Sequence, residues 1–242
     1  MIAGSWRSRV ELWVMVKRSL MRKMQILSFA IVLLAAGTTH AQTKMALGLA
    51  LGGSYNTHTG SVLEKTASGV GLVGGGQIDL SFTKSLGLLT TIYVYDNRLG
   101  KSTYALTEGG IDYSLDASVT VAYAGVEPLL KFTFPDIRFY IVAGPNIGFK
   151  VEGQSVVNAT ITTPGYSFSN GYASQTTKSD LADVNTRFEL SLGGGYVFAI
   201  DKQSRLTTQV SVAYGLNTIQ KSVDWHISSI KLIAGLEFDV FQ

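Results

Sequence analysis

Between Met45 and Phe241 large apolar residues alternate with small or polar ones, in eight stretches long enough to cross a bilayer. In the first, Met45, Leu47, Leu49, Leu51 and Tyr55 hold the odd positions. Ala46, Gly48, Ala50, Gly52, Ser54 and Asn56 hold the even ones. A period of two places these sets on opposite faces of a β-strand. One face is apolar along its whole length and the other is small and hydrophilic. A soluble barrel keeps its apolar side inside, so this pattern predicts the inverse: an all-β, eight-stranded antiparallel up-and-down transmembrane β-barrel spanning Thr43 to Phe241, with lipid outside and a polar lumen.

The second strand is expected at Val70–Phe82, with Val70, Leu72, Ile78, Leu80 and Phe82 outward. The third, near Leu88–Tyr95, is apolar on both faces. Leu88, Ile92 and Val94 are assigned outward, with the register open by one residue. The fourth (Val119–Phe132) turns Glu127 and Lys131 inward, and the fifth (Phe139–Val151) turns Asn146 and Lys150 inward. The sixth, from Val184 to Phe198, places Asn185, Arg187, Glu189 and Ser191 inside. The seventh carries Leu206, Val210, Val212, Tyr214 and Leu216 over Arg205, Gln209, Ser211 and Asn217. The eighth carries Ile230, Leu232, Leu236, Phe238 and Val240 over Lys231, Glu237 and Asp239.

Connections and aromatic residues sharpen this expectation. Thr83–Ser85, Thr133–Asp136 and Ala199–Ser204 are short. Thr57–Ser68, Asp96–Asp116, Glu152–Ala182 and Thr218–Asp224 are longer and rich in Ser, Thr, Gly and Asn. Short periplasmic turns alternating with long external loops are the habit of outer-membrane barrels, and put both chain ends on the periplasmic side. Phe82, Phe132, Phe139, Phe198 and Phe238 sort to the periplasmic ends of the outward face, and Tyr55, Tyr214 and Trp225 to the external ends. Such belts mark the two bilayer interfaces.

The amino end changes the reading of charge. Residues 1–41 are expected to be a targeting segment. Met21–Ala41 has Arg22 and Lys23, an apolar run from Ile26 to Ala36, and Thr39-His40-Ala41 at a cleavage site, leaving Gln42 first in a barrel domain of residues 42–242. The apolar run is too short to span as a helix. Residues 1–20 read as an over-extended start, with translation beginning at Met21 or Met24. Six of the 20 Lys and Arg residues and one acid, Glu11, precede Gln42. The remainder therefore carries 14 basic and 16 acidic side chains, a balance of −2, against +3 for the whole chain. No basic patch points to nucleic acid. Without cysteine, neither disulfides nor a lipid-modified Cys can form.

Val126-Glu127-Pro128-Leu129-Leu130-Lys131-Phe132, followed after a short turn by Ala143-Gly144-Pro145-Asn146-Ile147-Gly148-Phe149, resembles the PorT-like bacterial outer-membrane β-barrels. Leu86-Gly87-Leu88 and Gly193-Gly194-Gly195-Tyr196 fit the same pattern, although Gln242 follows Phe241 where an aromatic last residue is commoner. The resemblance implies a location in the bacterial outer membrane and supplies no catalytic residue. The namesake's association with secretion suggests envelope or secretion proteins as partners.

Little here suggests chemistry. Asp79, Glu127, Lys131, Lys150, Arg187, Glu189, Lys231, Glu237 and Asp239 are expected to point into the lumen. An eight-stranded barrel is just wide enough for side chains to fill, so a structural pairing network is expected there, and a proton or ion path is the alternative. The neighbours Glu237 and Asp239 admit an acid–base reading, which lumen pairing also accounts for. His58, in the first long loop, and His226, outward at the external rim with Asp224 and Ser228 nearby, admit a rim-enzyme reading. Two histidines are too few for a convincing metal site. Gly69, Gly71 and Gly74 have the spacing of a phosphate loop but no helix follows them. Asn158-Ala159-Thr160 falls in the longest loop, a candidate contact surface rather than a glycosylation acceptor. The expectation is a non-enzymatic, cofactor-free outer-membrane barrel, in contact with lipid, that assists an envelope or secretion assembly through its loops.

Overall fold

A computed structural model describes residues 44–61, 66–221 and 223–241. The expected targeting segment and its cleavage site lie outside the described residues. Nine strands follow one another: β1 (Lys44–Thr59), β2 (Ala67–Ser81), β3 (Leu86–Glu108), β4 (Ile111–Phe134), β5 (Phe139–Ile161), β6 (Ser174–Asp180), β7 (Arg187–Ala199), β8 (Ser204–Gly215) and β9 (His226–Phe241). Every pairing is antiparallel, and all join chain neighbours except β5 with β7, which passes over β6, and β1 with β9. β1 pairs with both β2 and β9, with Leu47 opposite Ile78 on one side and Phe238 on the other, so eight strands close a ring. β6 stands outside it. It pairs only with the far end of β5, Gln154 opposite Asp180 through Thr160 opposite Ser174.

The alternation resolves as an inverted barrel. Leu49 is 70% exposed on the outer face and Leu232 61%, whereas Asn56, Glu127, Arg187 and Lys231 inside are shut off from solvent. Closure satisfies every edge at membrane depth, the one sheet arrangement that hydrocarbon permits. The third strand takes the assigned register: Ile92 and Val94 face out, and Leu89, Thr91 and Tyr93 are buried inside. A register shift between Tyr93 and Asp96 leaves Tyr95 outward as well and returns Asp96 and Arg98 to the lumen.

Two of the expected loops are largely strand. Asp96–Asp116 continues β3 and β4 as a hairpin paired as far as Glu108 and Ile111. Its turn is Gly109-Gly110, both at positive φ (59° and 79°), the conformation that a two-residue hairpin of matching twist demands. Thr103 bonds Asp116 at 2.7 Å and Thr107 bonds Asp112 at 2.6 Å across the hairpin. Glu152–Ala182 likewise contains the end of β5 and all of β6. The sixth barrel strand begins at Arg187 rather than Val184, which makes only an isolated bridge to Gln220. The result is a sheet of β3, β4, β5 and β6 that rises beyond the ring on one side.

Candidate functional site: a filled lumen and an external mouth

Inward positions on neighbouring strands stack in three polar layers. In the layer nearest the external side, Asp96 accepts from Arg98 at 2.8 Å and from Arg187 at 2.6 Å, and both guanidiniums lie 3.3 Å from Glu189. Arg98 also donates to Asn56 at 3.2 Å and to Ser229. Arg187 donates to Asn146 at 3.3 Å and lies over the Tyr123 ring. In the middle layer Glu127 receives the Lys231 ammonium, the Tyr93 hydroxyl, the Ser191 hydroxyl at 2.6 Å and the Asn146 amide at 3.3 Å. Towards the periplasmic end Asp79 pairs with Lys131 at 2.6 Å and Arg205 at 2.9 Å. Arg205 also reaches Glu237 at 2.6 Å and Asp239 at 3.1 Å.

A charge taken out of water is tolerated only when paired and hydrogen-bonded. Each buried charge has an opposite charge within 3.3 Å. Asp79, Asp96, Glu189 and Glu237 each keep one carboxylate oxygen without a partner among the described residues, and the aromatic rings of Tyr93, Tyr123 and Tyr140 fill the space between layers. Of the nine lumen positions named from sequence, seven are buried and bonded inside, and Asp239 is half-buried at the periplasmic end. Lys150 is the exception. It lies beside the register shift where Ala122 and Tyr123 switch partners, is exposed, and donates to the Leu181 carbonyl at the external mouth. Opposite the buried Tyr123 and ahead of the shift, Lys150 keeps its inward parity, and it is exposed because it stands at the open mouth rather than among the charge layers. Asp96 and Arg98, expected in a loop, are central to the layer nearest the external side. The alternating Asp96-Asn97-Arg98 after an aromatic run was the available signal.

The external mouth corrects two further expectations. His58 belongs to β1 rather than a loop and is fully buried. Trp225, expected outward, is turned inward, 5% exposed, in a cluster with Val121, Tyr123, Ile219 and Ile227. Its indole Nε1 donates to His58 Nδ1 at 3.2 Å, and the two rings stack with centroids 5.7 Å apart. Odd parity from Ile227 places Trp225 inside. A tryptophan at an interface is amphipathic enough to suggest either side. His226 faces outward and contacts Asp224 at 3.3 Å. Among the described residues no cluster of three or more His, Cys, Asp or Glu side chains could hold a metal ion. The glycines at 69, 71 and 74 lie within β2, and Asn158 lies within β5, where Thr176 of β6 bonds it at 3.3 Å.

Residues 40–221 match the family model described as outer membrane protein beta-barrel domain. Solved structures cover most of the chain at low identity. Ail of Yersinia pestis, in complex with the heparin analogue sucrose octasulfate, is 14% identical, covering 81% of this chain and 99% of its own, with a TM-score of 0.33. Neisserial surface protein A is 13% identical over 80% of this chain and 96% of its own, at 0.35. OprG of Pseudomonas aeruginosa is 10% identical over 84% and 98%, at 0.40. No curated protein matches the sequence. With the inverted barrel, the family match places the molecule in the bacterial outer membrane, in a lipid environment. The chain belongs to the outer-membrane β-barrel family defined by that domain.

Proposed function

We propose that this barrel is a non-enzymatic, non-conducting scaffold of the PorT-like kind, seated in the outer membrane, that presents its external sheet to a cell-envelope or secretion assembly. The observation that carries this reading is the contrast between the lumen and the extension. The lumen is closed by paired charges at three levels. The β3–β6 sheet has two open edges, the end of β3 and the whole of β6. Open edges cannot lie in hydrocarbon, so this sheet stands in water on the side away from the short turns. β6, Ser-Gln-Thr-Thr-Lys-Ser-Asp, is exposed at every position, and Tyr166 and Tyr172 are exposed in the segment that leads to it. An unpaired edge accepts a partner strand by main-chain hydrogen bonds, and exposed tyrosines are common contact residues.

Crosslinking from Tyr172 and Lys178 in the native outer membrane, followed by identification of the captured proteins, tests the proposal. A reproducible set of envelope or secretion proteins, lost when residues 162–180 are replaced by a short linker, supports it. Capture of lipopolysaccharide alone refutes it. A second reading, a rim enzyme, is favoured by one observation, the Asp224–His226 contact at the external edge. On that reading His226→Ala abolishes a lipid or peptide modification while the barrel still folds.

A further inference from the structure

We propose that the external mouth holds a binding site for a small, neutral, ring-sized apolar molecule. A cavity of about 300 Å³ opens between the inner side of the β3–β5 extension and the connections before β7 and β9. Gly100, Ala117, Val119, Leu181, Val223 and Trp225 form most of its wall, with Ser hydroxyls and the Gln220 amide among them. Among the described residues none that lines it is charged, although Arg98 lies two residues from Gly100 in a layer built of ions. Pockets for small molecules have this composition, apolar with a few polar groups, and the volume sits at the small end of their range. An apolar wall holds water poorly, so an apolar occupant displaces it favourably.

The site is preformed. Trp225 is held by its hydrogen bond to His58 and by the ring stack beneath it. That bond makes His58 Nδ1 an acceptor, so the ring proton of the neutral imidazole sits on Nε2, which has no partner among the described residues. Gly100 packs directly on this ring: a Cβ there would stand 2.8 Å from His58 Cδ2. Glycine therefore keeps the stack close and the cavity open at the same time. The periplasmic mouth makes the contrast. Its cavity, about 330 Å³, is lined by Lys84, Lys131, Arg138, Asp201, Lys202 and Arg205, and suits water and ions. Among the described residues a charged ligand finds no partner in the lining of the external cavity, and a long chain outgrows it.

The three tryptophans are Trp6, Trp13 and Trp225, so the full chain carrying Trp6→Phe and Trp13→Phe retains one indole, at the site. In lipid nanodiscs, the Trp225 indole N–H resonance is followed during titration with cyclohexanol, and separately with cyclohexanecarboxylate. The expected result is a saturable shift with cyclohexanol, weakened about tenfold or more by Ala117→Phe, which fills the cavity, and no saturable shift with the anion. Val223→Phe, at the other wall, is a second filling variant should Ala117→Phe fail to fold. A shift that grows linearly with lipid partitioning, one unchanged in a folded filling variant, or equal response to the anion overturns the proposal.

Discussion

At the scale of single residues, the lumen is a set of buried ions whose removal one at a time is costly. Lys231→Met strands the Glu127 carboxylate, leaving it the Tyr93, Ser191 and Asn146 donors but no countercharge. Unfolding from lipid vesicles should show a loss of about 3–5 kcal/mol, the usual cost of breaking a buried pair. Glu127→Gln combined with Lys231→Met should restore most of that stability, because neither charge then remains. Outside the bilayer, Asp201 in the β7–β8 turn accepts from the Ser204 hydroxyl at 2.5 Å and from the Gln203 and Ser204 amides at 2.7 Å each. These bonds, the Ser204 hydroxyl foremost, hold its carboxyl below the usual carboxylate range. The sign follows from linkage: a depressed carboxylate lends order above its unfolded pKa and loses it as pH falls through the folded value. Amide exchange of the turn, corrected for intrinsic rates, should therefore gain protection as pH rises through the acid range, and Asp201→Asn should flatten that dependence. Residue identity was legible for most of the lumen because strand parity alone assigns Glu127, Lys231 and Glu237. Parity also gives the side of Lys150, opposite Tyr123, but not its height: it stands at the external mouth, above the charge layers, where solvent reaches it.

At the scale of elements, the outward face and the turns carry separate predictions. Leu49 lies in mid-strand on the lipid side, and Leu49→Arg should cost about 2–4 kcal/mol in vesicle unfolding, where a soluble barrel would tolerate it. Gly109→Val forces a β-branched residue to φ near +59° at the tip of the extension. Limited proteolysis should then open the β3–β4 hairpin above Ser102 while the ring remains intact, because that part of β3 pairs with β4 and has left β2. Seven of the eight barrel strands are legible from their alternation, and the third, apolar on both faces, is not. Nor is the extension, because its residues are Ser-, Thr- and Gly-rich on both faces, as a water-exposed sheet can be and a bilayer-spanning one cannot. The Gly-Gly pair between Thr- and Tyr-containing runs was the hairpin signal, masked by the polar composition that also marks loops.

For the whole molecule, fold and setting follow from one inversion, apolar outside and ionic inside, which only a closed sheet in a bilayer satisfies. The internal charges then decide what the barrel does. A lumen left open would carry ions along Asp96, Glu127 and Asp79, whereas on the proposed reading the paired layers close it and leave the mouths and the external sheet as the working surfaces. Planar-bilayer recording of the purified, refolded barrel tests this most directly. The account predicts no steps above baseline, with conductance unchanged at zero in Lys131→Ala, since the layers above still close the path. Stable ohmic steps in the unmodified protein, altered by Glu127→Gln or Lys131→Ala, would contradict it and make the charge layers an ion path.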